Sequence, residues 1–104
     1  MTRETAKKKI RGFPLKLQSI AKEDIEKRAY ITIDIVPLFE MEDGFYQFTV
    51  NYKINIGNKY LYGKALSLDE FIRLRTEANN GEVFTITYLE QSGIILEIEE
   101  KNDI

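Results

Sequence analysis

Lys7, Lys8 and Lys9, with Arg3 before them and Arg11 after, put five cations into the first eleven residues of this chain. Such a cluster neutralises phosphates and releases their counterions, which gives salt-dependent affinity without sequence preference. A solubilising tail would have the same composition. A second set lies in mid-chain, where Tyr60, Tyr62 and Lys64 alternate with Leu61, Gly63 and Ala65. If the latter three face a core, the former three face outward, near Lys53 and Asn51 of the preceding run. Exposed tyrosines beside lysines stack the bases of single-stranded nucleic acid and track its backbone. The opposite parity, with both tyrosines packed inward, stays open because Gly63 can shift the register.

Acidic residues suit a different partner. Asp34, Glu40, Glu42 and Asp43, with Glu82, Glu90, Glu97 and Glu99 further along, would present a negative surface able to steer encounter with a basic protein. A solvated surface needs the same residues. The groups Glu40, Glu42, Asp43 and Glu97, Glu99, Glu100 hold oxygen ligands of the kind divalent ions take, but their spacing matches no ion-binding loop, so no metal is expected.

Enzyme chemistry finds little to work with. The chain has no His and no Cys, so a nucleophile–His–acid triad and a Cys–His pair are both excluded. Its serines are Ser19, Ser67 and Ser92; Ser67 reads as a helix cap and Ser92 as a turn residue. Neither G-x-x-x-x-G-K-[ST] nor G-x-G-x-x-G occurs. The expectation is a non-enzymatic binding protein without a cofactor, whose partner is single-stranded nucleic acid or, alternatively, a protein that it inhibits or adapts.

Charge is segregated. Residues 1–17 hold six basic groups against Glu4, whereas the remainder holds nine basic and sixteen acidic ones. A basic arm on an acidic body is evidence about partners rather than fold. No run approaches 18 apolar residues, so no membrane span is expected. The basic start is not followed by an apolar stretch of signal-peptide length, and the absence of cysteine fits a reducing compartment. A cytoplasmic protein is the expectation.

The elements that must position these groups are written most plainly from Tyr30 to Glu99. Length indicates one domain, with residues 1–11 a flexible arm and residues 12–104 a single α+β unit. Phe13, Leu15 and Leu17 alternate with Pro14, Lys16 and Gln18, as in a short edge strand. Ser19 to Arg28 is charge-rich and reads as a short helix over Ala21 to Lys27 or as a charged turn. Tyr30 to Met41 is a strand bent at Pro37. Asp43-Gly44 favours a tight hairpin, followed by the strictest alternation in the chain, with Tyr46, Phe48, Val50, Tyr52, Ile54 and Ile56 on one face. Lys59 to Leu66 is the third strand.

A helix over Ser67 to Asn79 follows, opened by the Ser67/Glu70 capping box and closed by Gly81. Phe84 to Tyr88 and Ile94 to Ile98 complete a predominantly antiparallel sheet of about five strands. Its core is expected to include Ile31, Ile33, Phe48, Val50, Ile54, Phe71, Leu74, Phe84, Ile86 and Leu96. A helix between the third and fourth of five strands resembles the order of the oligonucleotide-binding barrel, which implies nucleic-acid binding. A curved sheet with one packed helix accounts for the order equally well. The abundance of Ile, Lys, Glu, Asn and Tyr also resembles small proteins of phages and mobile elements.

Overall fold

A computed structural model describes residues 1–42 and 48–101. Among these residues the fold is mixed α+β, with three helices and two antiparallel three-stranded sheets. In chain order the elements are α1 (Arg3–Lys9), α2 (Leu15–Glu26), β1 (Tyr30–Ile35), β2 (Leu38–Met41), β3 (Thr49–Asn55), β4 (Tyr60–Ser67), α3 (Leu68–Asn79), β5 (Phe84–Leu89) and β6 (Ile95–Glu100). The sheets run β1-β5-β6 and β2-β3-β4. No helix among the described residues is long and apolar enough to cross a membrane.

The expected single sheet of about five strands is therefore corrected to six strands in two sheets, with the long helix between β4 and β5. Pro37 is the cause. It lacks the N–H a ladder requires, so the run Tyr30 to Met41 divides around it. β1 pairs with β5, placing Ile33 opposite Ile86, while β2 pairs with β3, placing Phe39 opposite Ile54. The two sheets touch where Tyr62 of β4 forms a parallel bridge to Ile94, and the Tyr62 N–H donates to the Gly93 carbonyl at 2.9 Å.

Apolar side chains fill two clusters. The larger one lies between the sheets and α3, where Phe39 contacts the rings of Tyr52 and Phe84 at 5.8 Å each and that of Phe71 edge-on at 6.1 Å. Val50, Ile54, Leu74 and Ile86 are buried in it, with Ile31 and Ile33 partly so. Phe48 is the exception among the expected core residues: it is 84% exposed. It precedes β3 at φ +64°, a left-handed conformation that breaks the alternation and turns the side chain outward. Tyr46 and Asp43-Gly44 lie outside the described residues.

Helix α3 follows its sequence signals. Ser67 Oγ accepts the Glu70 N–H at 3.1 Å, and Phe71, Leu74 and Ala78 form the buried stripe, while Ile72 is exposed.

The N-terminal quarter departs from expectation. Where a flexible arm over residues 1–11 is expected, Arg3–Lys9 is helical and buries Ala6, with Ile10 buried just beyond it. In place of an edge strand at Phe13 to Leu17, Pro14 is the N-cap of α2. On a helix, residues two apart point in different directions, so Leu15 is 83% exposed while Leu17 is half-buried. The α1–α2 hairpin buries Ile10, Phe13, Ala21 and Ile25 against Leu89, Ile94 and Leu96, making the second cluster.

Leu96 belongs to this second cluster because β6 carries a bulge. Tyr88 opposes Ile95 and Thr87 opposes Glu97, leaving Leu96 as the extra residue. Ile94, Leu96 and Ile98, which strict alternation would put on one face, are thereby split. Ile95 and Ile98 look toward the first cluster, Ile94 and Leu96 toward the second.

Candidate nucleic-acid interface

Residues directly opposed across an antiparallel pair share a face, so the register of β2, β3 and β4 states which side chains stand together. Leu38 opposes Asn55, and Asn55 opposes Tyr60. Glu40 opposes Lys53, and Lys53 opposes Tyr62. The outward face of this sheet is thus two adjacent rows, Leu38–Asn55–Tyr60 and Glu40–Lys53–Tyr62. Of the two parities the sequence leaves open, the structure has Leu61 and Gly63 turned inward and buried, which brings Lys53, Tyr60 and Tyr62 together.

Local contacts hold the rows in place. Lys53 Nζ lies 4.5 Å from the centroid of the Tyr60 ring, within cation–π range. Tyr62 packs against the second cluster and is half-buried. Beyond Tyr62, β4 carries its own irregularity: Tyr52 opposes Gly63 and Val50 opposes Leu66, so two residues of β4 stand against Asn51 alone. Ala65 takes φ +57° there, and the Asn51 Oδ1 accepts its N–H at 3.3 Å. The Lys64 ammonium reaches the α1–α2 connection, donating to the Gly12 carbonyl and lying 5.4 Å over the Phe13 ring.

Between that connection and the sheet runs a groove of about 360 Å³. Phe13, Pro14 and Leu17 form one wall, Tyr62 and Gly63 the floor, and Glu42, Asn51 and Lys64 the polar rim. The Glu42 backbone N–H donates to the Asn51 carbonyl at 2.8 Å, which ties this residue to the end of β3.

The N-terminal cations do not converge on this face. The Arg3 guanidinium and the Lys7 ammonium each stand 3.9 Å from the Glu26 carboxylate. Lys8 and Arg11 are exposed. Lys9 reaches the seam between the sheets, where its ammonium donates to the Leu96 carbonyl at 2.5 Å, on the bulge residue of β6.

The acidic set is also divided. Glu40 and Glu42 stand on the face already described, beside Lys53 and Lys64. Asp34 is on the other sheet, accepting bonds from the Thr85 hydroxyl at 2.6 Å and the Lys101 ammonium at 2.9 Å. The Thr85 bond, followed by that of Lys101, holds its carboxyl below the ordinary value of 3.8. Asp43 lies outside the described residues. Among the described residues, no three acidic side chains gather where a metal ion would sit.

Phe13 was not legible as part of this site because it reads as a strand residue. The signal that marks it is its position between Gly12 and Pro14, where a connection presents an aromatic ring. Asp24 gives another side chain with a role the sequence hides. Buried on α2, it accepts the Gln91 N–H at 3.2 Å and the Ser92 N–H at 3.0 Å, pinning the β5–β6 turn to the helical hairpin.

No family model, curated protein or solved structure matches the chain; what its site does must be read from the face itself.

Proposed function

We propose that this is a non-catalytic protein that binds single-stranded nucleic acid across the outward face of β3 and β4. The observation that carries the reading is the register that sets Lys53, Tyr60 and Tyr62 side by side, with Lys64 at the adjoining groove. Aromatic faces supply stacking that every base tolerates, and the lysines supply phosphate charge.

Strand order supports the same reading. If β1 and β2 are taken as one strand bent at Pro37, the order becomes that strand, β3, β4, β6, β5 and back to the first, with β4 joined by a parallel bridge to Ile94, the residue just before β6. That arrangement resembles the five-stranded oligonucleotide-binding barrel, whose second and third strands carry the binding face. Here those strands correspond to β3 and β4. The protein-inhibitor alternative draws on Asp34, Glu40, Glu42 and Asp43, but Asp34 stands on the other sheet and is engaged by Lys101.

Titrating a fluorescent single-stranded oligonucleotide at several salt concentrations tests the proposal. Contacts to about four phosphates give a log–log slope near −3. Tyr60→Ala is expected to weaken binding by about 1–3 kcal/mol if one base stacks there, and Lys53→Gln with Lys64→Gln to flatten the slope. Substitution is the appropriate test of the N-terminal charges as well, because deleting residues 1–11 would also remove the buried Ala6 and Ile10. A folded protein that binds no oligonucleotide at low salt ends this reading.

A further inference from the structure

The groove beside Tyr62 has a composition that phosphate binding alone does not explain. Phe13 on its wall and Tyr62 on its floor offer aromatic surface to a flat guest, and Lys64 stands at its rim. The same rim carries Glu42, and among the described residues no ion pair neutralises that carboxylate. A carboxylate repels a nucleic-acid backbone but accepts hydrogen bonds from the edge of a base.

We propose that this groove is a pocket for one unpaired guanine of the bound strand, with Glu42 as the residue that reads it. The proposal rests on the nucleic-acid reading above and adds the base that the site selects. A carboxylate forms its strongest contact with two adjacent donors that it accepts in parallel. Guanine presents such a pair in its N1–H and N2 amino group. Adenine and cytosine each set one amino group beside an acceptor nitrogen, and thymine and uracil hold one N–H between two carbonyls. Asn51 completes the fit. Its Oδ1 is taken by the Ala65 N–H, so its amide NH₂ is the group left to donate to guanine O6. Glu42 is held next to it by the backbone bond to the Asn51 carbonyl.

The test uses the full chain and an oligothymidine carrying one central guanine, adenine or hypoxanthine, with binding followed by fluorescence anisotropy at low salt. The guanine probe is expected to bind about tenfold more tightly than the adenine probe, the size of effect one bidentate contact gives. Hypoxanthine, which lacks the N2 amino group, should lose most of that advantage. Glu42→Gln should erase the preference while affinity for plain oligothymidine rises rather than falls, because a charge that repels the backbone is gone. Equal affinity of the native protein for all three probes overturns the guanine pocket and leaves the nucleic-acid reading standing, and a preference that survives in Glu42→Gln overturns the role of Glu42. Failure to bind any of the probes removes both proposals together.

Discussion

The ring of Tyr52 occupies the space that a β-carbon on Gly63 would need: such an atom would stand 2.1 Å from Tyr52 Cζ and 2.4 Å from Cε1. The two residues oppose each other across β3 and β4, so the glycine leaves a gap in the inner face of the sheet and the tyrosine closes it. Space, rather than backbone conformation, is the requirement here, since Gly63 is not among the positive-φ glycines.

Gly63→Ala therefore forces the Tyr52 ring out of its position beneath Phe39 and Phe71. Overpacking of this kind costs about 1–3 kcal/mol, and the loss should appear in urea unfolding. Tyr62 and Lys64 flank Gly63, so nucleic-acid affinity is expected to fall in the same variant.

Tyr52 also sets an alkaline limit. Burial pushes its phenol up from 10.0 to about 12, because the charged phenolate is disfavoured away from water. The folded state then holds the proton more tightly than the unfolded one. The corresponding stability is fully present below about pH 10 and is lost as pH rises from there toward 12. A difference of that size between folded and unfolded phenol corresponds to roughly 2–3 kcal/mol. Tyr52→Phe keeps the ring and removes the ionisation, so its stability should fall less steeply above about pH 10 in denaturant titrations.

Asp24 should be costly to remove. Asp24→Ala leaves the Gln91 and Ser92 amides without their carboxylate partner, and a buried donor left unpaired costs about 1–3 kcal/mol. The expected result is a lower unfolding midpoint, with amide exchange at Gln91 and Ser92 accelerated more than in the flanking strands β5 and β6.

The parts of the fold that could be read from sequence were those in which local signals agree with packing. Ser67, Glu70 and Gly81 mark the ends of α3, and its stripe is apolar at helical spacing. The strands from Val50 to Ile54 and from Phe84 to Tyr88 alternate as half-buried strands should. The N-terminal hairpin was illegible for specific reasons. Pro14 caps α2 without a side-chain hydrogen bond, Leu15 is apolar but exposed, and Asp24 is charged but buried, so the helical period is blurred at three positions. Gly63 signalled a register shift in β4 but not its place, since Ala65 takes the positive φ, and the bulge in β6 was hidden because its inserted residue is Leu96. In the candidate site, alternation grouped Tyr60, Tyr62 and Lys53 but left open which way they face, because Gly63 has no side chain to mark the inner face. The groove did not follow from alternation, because it depends on Phe13 arriving from a distant helical hairpin.

The single residue inserted at Leu96 changes what β6 is. A strand with one dry side can lose the layer above it and survive as a sheet edge, but β6 is dry on both sides at adjacent residues, Ile95 toward one cluster and Leu96 toward the other. The helical hairpin and the paired sheets consequently share a wall. Loosening either exposes apolar surface on the same strand, so heat should take the two together in one cooperative transition, with the N-terminal helices melting no earlier than the sheets.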